Sequence, residues 1–489
     1  IKTQIRHIEH MGDIIDFLLK IIWSDFLVAL CIIGGLYFSI RTRFVQVRLL
    51  KTMVSLLFKG KSSDKGVSSF QAFSIAISGR IGTGNIAGVA TAIAIGGPGA
   101  IFWMWLIAFF GASTAYVEAT LGQIYKEVKD GEYRGGPAFY IKKGLGMNWY
   151  AILFAVITLI SCAFFLPGVQ SNSAAAAIKH AYEIDTLYTG IGIAILLGFI
   201  IFGGVKRIAK TAEIVVPFMA IGYILMATII ILMNVTQIPA MFQLILESAF
   251  GTHATFGGII GSAIAMGVKR GLYSNEAGQG TAPHAAAAAE VKHPAQQGLV
   301  QAFSVYVDTI FVCTATALMI LFSGLYNTED GQGGYLFEML PGVDSGPEFT
   351  QHAIDSFFPG LGSGFVAIAL FFFVFTTLMA YYYMAETNLS FMFKKRINPI
   401  ALFGLRMVLL LTIIFGAINT SARAWDMGDI GVGLMAWLNF IAILLLQKPA
   451  IKALRDFERQ KKLKKGKYTF DPEKLGIKNT EAWDEDIIE

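Results

Sequence analysis

A chain of 489 residues in which 55% are hydrophobic and only 15% are charged falls outside the soluble globular class, where about a quarter of residues carry charge. Mean hydropathy is +0.59, and the apolar residues fall into runs of about 20, the length that crosses a bilayer, separated by short polar links. The formal charge of +5 is gathered in particular links, so it reports topology and does not suggest a nucleic-acid partner.

Eleven spans are expected in chain order. The first, 14–40, lacks a small-residue cleavage site and reads as a true span, not as a signal peptide. The second, 67–95, is interrupted by glycine; 98–125, 150–178, 186–204 and 211–233 follow. The seventh, 256–287, is interrupted again, and 298–323, 361–386, 399–420 and 428–447 complete the set. Cys31, Cys162 and Cys313 all lie inside apolar segments, where thiols behave as small hydrophobes, so neither disulfides nor a zinc site is expected.

Lys and Arg alternate between the links. Arg41, Arg43, Arg48, Lys51, Lys59, Lys61 and Lys65 fill 41–66. Lys126 to Lys143, then Lys206, Arg207 and Lys210, then Lys292, then Lys394 to Arg396 mark the next alternate links, while 234–255 and 324–360 hold neither residue. By the positive-inside rule the N-terminus faces outside and the tail, 448–489, faces the cytoplasm. The tail starts basic (Lys461, Lys462, Lys464, Lys465) and ends acidic; its basic run is expected to complete this pattern beside the membrane.

Span two contains Ser78-Gly79-Arg80-Ile81-Gly82-Thr83-Gly84-Asn85, and span seven contains Gly267-Val268-Lys269-Arg270-Gly271-Leu272-Tyr273-Ser274-Asn275-Glu276-Ala277-Gly278-Gln279-Gly280. Neither suits an unbroken spanning helix. Backbone freed at membrane depth must line a cavity or be buried in protein, and half-helix ends there bind ions. Close helix packing by small residues is the competing reading. Spans two to six and seven to eleven make two sets of five, and an odd count forces the halves into opposite topology. Two matching breaks in an inverted repeat are the sequence pointer to a secondary transporter.

Thr376 and Thr377 in span nine, ahead of Tyr381, Tyr382 and Tyr383, offer hydroxyls suited to a hard monovalent cation, or else bond back to their own helix. Gln170 and Asn172 in span four offer amides to a zwitterion, or to neighbouring helices. Arg80, Glu118, Lys269, Arg270, Glu276, His284 and Asp308 are ionisable at membrane depth; most are expected to form ion pairs across the bundle. There is no HExxH, GxSxG or GxxxxGK[ST] motif, so neither an enzyme nor ATP coupling within this chain is expected. A channel would need a ring-forming selectivity motif, which is also missing.

Gly82-Thr83-Gly84-Asn85-Ile86-Ala87-Gly88-Val89 with Gly96-Gly97-Pro98-Gly99-Ala100, and Ser274-Asn275-Glu276-Ala277-Gly278 with Ala282-Pro283-His284-Ala285, resemble the signatures of the alanine or glycine:cation symporter family. The resemblance spans about 14–447. It implies the leucine-transporter-like fold: a five-plus-five inverted repeat (about 67–233 and 256–447), one extra N-terminal helix, and eleven transmembrane helices in all. It implies symport of sodium with alanine, glycine or a related neutral amino acid at the cell membrane. Thr83 and Gly84 would meet the substrate carboxylate, and Asn85 would brace the break or join a second cation site. Gln170, Met266, Gly267 and Tyr381 would line the pocket. The carbonyls of Ser78 and Ile81 and the hydroxyls of Thr376 and Thr377 would hold sodium. Many members have glycines at Phe164 and Leu166, tryptophan at Tyr381 and leucine at Gln279. These departures bear on pocket shape, and a branch of the family is associated with glutamine. Glutamine symport and proton-coupled amino-acid transport are therefore the alternatives.

Overall fold

The computed structural model describes residues 12, 14–393, 396–463 and 468–483; Lys394, Lys464 and Lys465 lie outside the described residues. Eight helices there are long and apolar enough to cross a membrane: Ile14–Arg41, Ala100–Ile124, Asn148–Tyr182, Gly204–Met233, Pro294–Ser323, Gly362–Met392, Pro399–Ile418 and Ser421–Lys462. Thr186–Ile201 is a shorter apolar helix, and 69–96 and 260–288 are each broken into two. The strands among the described residues form two short antiparallel hairpins, Glu127–Lys129 with Glu132–Arg134 and Asn327–Glu329 with Tyr335–Glu338.

Local chemistry sets where the helices start. Ser68 opens Ser69–Arg80 with a capping box: its hydroxyl accepts from the Gln71 N–H at 3.1 Å while the Gln71 side chain accepts from its own N–H at 3.0 Å. His293 opens Pro294–Val305: its ring Nδ1 accepts the Ala295 N–H at 3.2 Å while the Gln296 side chain accepts the His293 N–H at 3.0 Å, and Asn398 caps Pro399–Ile418 ahead of proline.

The breaks fall where backbone geometry demands them. Ser69–Arg80 stops at Ile81, a single 3-10 turn covers Thr83–Asn85, and Ala87–Gly96 resumes. The second break lies later than the glycine pattern suggests. Ile260–Asn275 runs straight through Gly267 and Gly271, and the interruption is Glu276–Thr281, before Ala282–Ala288. Gly267 and Gly271 serve packing instead: a Cβ on Gly267 would stand 2.4 Å from Trp103 Cβ on the neighbouring helix. Glu276 adopts a left-handed conformation that ends the helix.

Two further helices are locally widened. Asn148–Tyr182 carries a π turn at Ser161–Phe165, just before Pro167, and Pro294–Ser323 carries one at Tyr306–Cys313. Such turns mark displaced hydrogen bonding and gather at functional positions. The described tail folds back on the bundle: Trp483 Nε1 donates to Gln123 O at 2.9 Å, and Phe470 packs edge-on against its ring.

Candidate cation and substrate site

Three spans meet at the first break. Ser69–Arg80 ends with the carbonyls of Ser78 and Ile81 unclaimed by a further helical turn, as every helix end leaves them. Thr377, in the middle of Gly362–Met392, brings its hydroxyl within 2.8 Å of Ser78 O and 3.2 Å of Ile81 O. Thr377, Ser78 and Ile81 thus form a compact, neutral oxygen cup, buried to 1% exposure or less. Thr377 also bonds back to Phe373 O of its own helix at 2.8 Å; Thr376 makes the same bond and one to Phe372 O, both at 3.0 Å, but does not reach Ser78 or Ile81.

Beside the cup, the Gln170 amide oxygen accepts the Thr83 N–H at 3.0 Å, and its nitrogen lies 3.5 Å from the Tyr381 hydroxyl. A Cβ on Gly82 would stand 2.6 Å from Thr377 Oγ1 and 2.8 Å from Gln170 Oε1, so glycine is what lets all three spans close on the break. Gly84 packs in the same way against Tyr273 and Ser274. The structure therefore gathers Ser78, Ile81, Thr83, Gly84, Gln170, Thr377 and Tyr381. Met266 and Gly267 lie two turns back from Ser274, about 12 Å along the helix axis, and Gly267 faces Trp103. Asn172 bonds to the carbonyls of Gly416 and Asn419, the helix–helix alternative. Phe164 is 37% exposed on the outer face, away from the break, while Gln279 Nε2 caps the second broken helix at Leu272 O.

Asn85 turns from the break to a second polar cluster. Its oxygen accepts the Gly82 N–H at 2.9 Å, and its nitrogen donates to Asp308 Oδ1 at 2.6 Å. Asp308 lies in the π turn of Pro294–Ser323 and also accepts from Ser274 at 2.9 and 3.0 Å and Thr309 at 2.6 Å. It is fully buried, and no Lys or Arg pairs with it among the described residues. A carboxylate in such surroundings is costly unless a cation or a proton joins it.

The other buried ionisable groups are only partly the ion pairs the sequence suggests. Lys269 and Arg270 both pair with Asp429, at 2.6 and 2.9 Å. Arg270 also lies over the Trp425 ring, and Trp425 meets Tyr273, so this group closes over Gly84 and Gly88 on one side of the break. Glu118 instead accepts the N–H groups of Gly278 and Gly280, at 3.2 and 3.1 Å, and Asn439 Nδ2 at 2.8 Å, filling the second break. Arg80 donates to Gln301 O and Ser304, Glu276 accepts from Thr281, and His284 bonds to Thr281 and Asn388. Sequence reasoning quoted Tyr273 and Ser274 in the second break without giving either a role, and passed over Trp425 and Asp429. The Asp429 carboxylate had a signal: an acid inside the apolar stretch 428–447 with two neighbouring cations to satisfy on another span.

Residues 8–471 match the sodium:alanine symporter family. This chain belongs to that family. YrbD of Bacillus subtilis (strain 168) is 60% identical over 476 residues, covering 97% of this chain and 98% of that protein. The sodium/proton-dependent alanine carrier protein of Bacillus sp. (strain PS3) is 55% identical over 434 residues, 88% of this chain and 97% of its own length. The sodium/alanine symporter AgcS of Methanococcus maripaludis is 38% identical over 451 residues, 90% and 96% of the two chains. As a member of the sodium:alanine symporter family, the protein is a multi-pass membrane carrier and not an enzyme.

Proposed function

We propose that this family member takes up alanine, or a comparably small neutral amino acid, together with sodium by alternating access. The observation that carries the reading is the cup formed by Thr377 Oγ1 with Ser78 O and Ile81 O, in which a helix end on one span meets a hydroxyl on another. A neutral oxygen set binds a monovalent cation and still releases it, as a carrier must. Thr376 would complete the set by turning about its Cα–Cβ bond. The substrate carboxylate would replace Gln170 Oε1 at the Thr83 N–H, with Gly84 allowing close approach and Tyr381 bounding the side chain. Met266 and Gly267 would act from behind this wall. The frame is the five-plus-five inverted repeat, 67–233 and 256–447, preceded by one extra helix to give eleven spans. The N-terminus lies outside and the 448–489 tail in the cytoplasm. The similarity to carriers named for alanine supports alanine over glutamine as cargo.

Proton coupling is the second reading, favoured by Asp308, a buried carboxylate held only by neutral donors. Uptake of labelled alanine into proteoliposomes separates the two. Sodium coupling requires uptake to collapse when sodium is replaced by choline at fixed pH. Uptake that persists in choline and follows an imposed pH gradient would overturn it.

A further inference from the structure

We infer that the Lys/Arg-rich face of the protein carries a binding site for the phosphate headgroup of an anionic phospholipid, where the last helix leaves the membrane beside the end of the first. A cavity of about 340 Å3 opens there, lined by Arg43, Arg455, Glu458, Arg459, Lys462 and Leu463. Arg455, Arg459 and Lys462 are spaced four and three residues apart, so they share one face of Ser421–Lys462. Arg43 lies two residues beyond Asp25–Arg41, at the end of the first span, and its ion pair with Glu458 brings this part of the last helix level with that end, at headgroup height.

The charges there are not balanced within the protein. Glu458 is the one acid in the lining, and it is already shared by Arg43 and by Arg48 at 2.6 Å. Arg459 turns to Asp456. Arg455 and Lys462 have no acidic partner within 4 Å among the described residues. Two unpaired cations converging on one cavity suit a phosphate, and Arg455 can grip it with two parallel N–H donors.

An apolar stripe next to the cavity says that the phosphate is attached to acyl chains. The short helices Val45–Arg48 and Leu50–Leu57 bury Val45, Leu49, Met53 and Leu56 against the bundle. Their opposite face exposes Phe44, Val47, Leu50, Val54 and Phe58, at a helical spacing of three and four. An amphipathic stretch of this kind, carrying Lys51 and followed by Lys59 and Lys61, lies in the interface with its apolar side among acyl chains. A diacyl anion is therefore met by both halves of the surface.

The test uses the purified full chain in mixed micelles holding phosphatidylglycerol and phosphatidylcholine in equal amounts, with retained lipid read by native mass spectrometry. Wild type should retain phosphatidylglycerol preferentially. The Arg455→Gln/Lys462→Gln double variant should lose about fivefold of that preference per charge removed. Lys210→Gln, outside both the cavity and the apolar stripe, should keep it. An unchanged preference in the double variant, or an equal loss in Lys210→Gln, would overturn the site. Displacement of phosphatidylglycerol by excess inorganic phosphate would overturn the lipid assignment in favour of a free anion. Sodium-driven alanine uptake by the double variant in phosphatidylcholine liposomes should match wild type, which keeps this result separate from the transport reading.

Discussion

Thr376 and Thr377 are chemically identical neighbours with different surroundings. Both hydroxyls bond back to Phe373 O of their own helix, but Thr377 also touches Ser78 O and Ile81 O across the break, whereas Thr376 reaches neither. Valine at 377 keeps the shape and removes the oxygen. A hydrogen bond or ligand contact to a charged partner is worth about 1.5–3 kcal/mol. Thr377→Val should therefore raise the sodium concentration for half-maximal uptake by about tenfold or more, with alanine affinity at saturating sodium little changed. Thr376→Val should move it by less than half as much on a logarithmic scale, because its hydroxyl joins the ion only after giving up its bonds to Phe372 O and Phe373 O. Equal effects from both variants would mean that the two hydroxyls hold the ion equally, and no effect from Thr377→Val would move the cation elsewhere. The two residues are legible in the sequence as a pair. Their difference is not, because it depends on how the Gly362–Met392 helix is rotated about its axis.

At the scale of elements, the second break is held open by another helix. Gly278 and Gly280 have positive φ, and their N–H groups point away from any helical carbonyl. Glu118, from the Ala100–Ile124 helix, accepts both, with Asn439 as the third donor and Tyr140 behind Asn439. Removing the carboxylate strands buried donors. Glu118→Ala should cost about 3 kcal/mol or more, seen as a lower melting temperature in detergent. Glu118→Gln, which keeps one acceptor oxygen, should lie between it and wild type. An alanine variant that melts with wild type would show that the break supports itself. The glycines of 267–280 announce a break, but its position comes from this contact. Gly267 and Gly271 remain helical because Ala100, Trp103 and Met104 pack against them, and only beyond Asn275 does an acid from a neighbouring helix replace the lost backbone bonds.

Across the whole molecule, the two broken spans are tied together at their Lys/Arg-rich ends. The N–H of Val67 donates to Ala288 O at 2.9 Å, and that of Glu290 to Val67 O at 2.8 Å. Gln123 and Lys126 both donate to Ala289 O at 3.0 Å, and the tail residue Trp483 closes over them. Lys126 lies just past its span; burial away from water pushes its ammonium down to about 7, partly opposed by Glu290. The unfolded lysine titrates near pH 10.4. Between about 7 and about 10.4 the unfolded chain therefore holds the extra proton, so this group makes stability rise with pH across that window. Melting curves of wild type and Lys126→Met, taken from about pH 7 to about pH 9, should diverge. Wild type should gain stability relative to the variant as pH rises. A constant difference would mean that Lys126 stays charged where it is.

Composition, apolar run length and the alternation of Lys and Arg were enough to specify a polytopic helical membrane protein, because crossing a bilayer imposes length and polarity on the chain itself. The glycine-rich breaks, the Thr pair and Gln170 were also open to reading, since irregular backbone and polar groups are conspicuous in an apolar background. What required the tertiary structure is the set of partners. Ser78 and Ile81 meet Thr377 across about 300 residues of sequence, Glu118 meets Gly278 and Gly280, and Asp429 gathers Lys269 and Arg270. Helix rotation and register fix these pairings, and both are set by side-chain packing between spans, which leaves no local mark on either sequence.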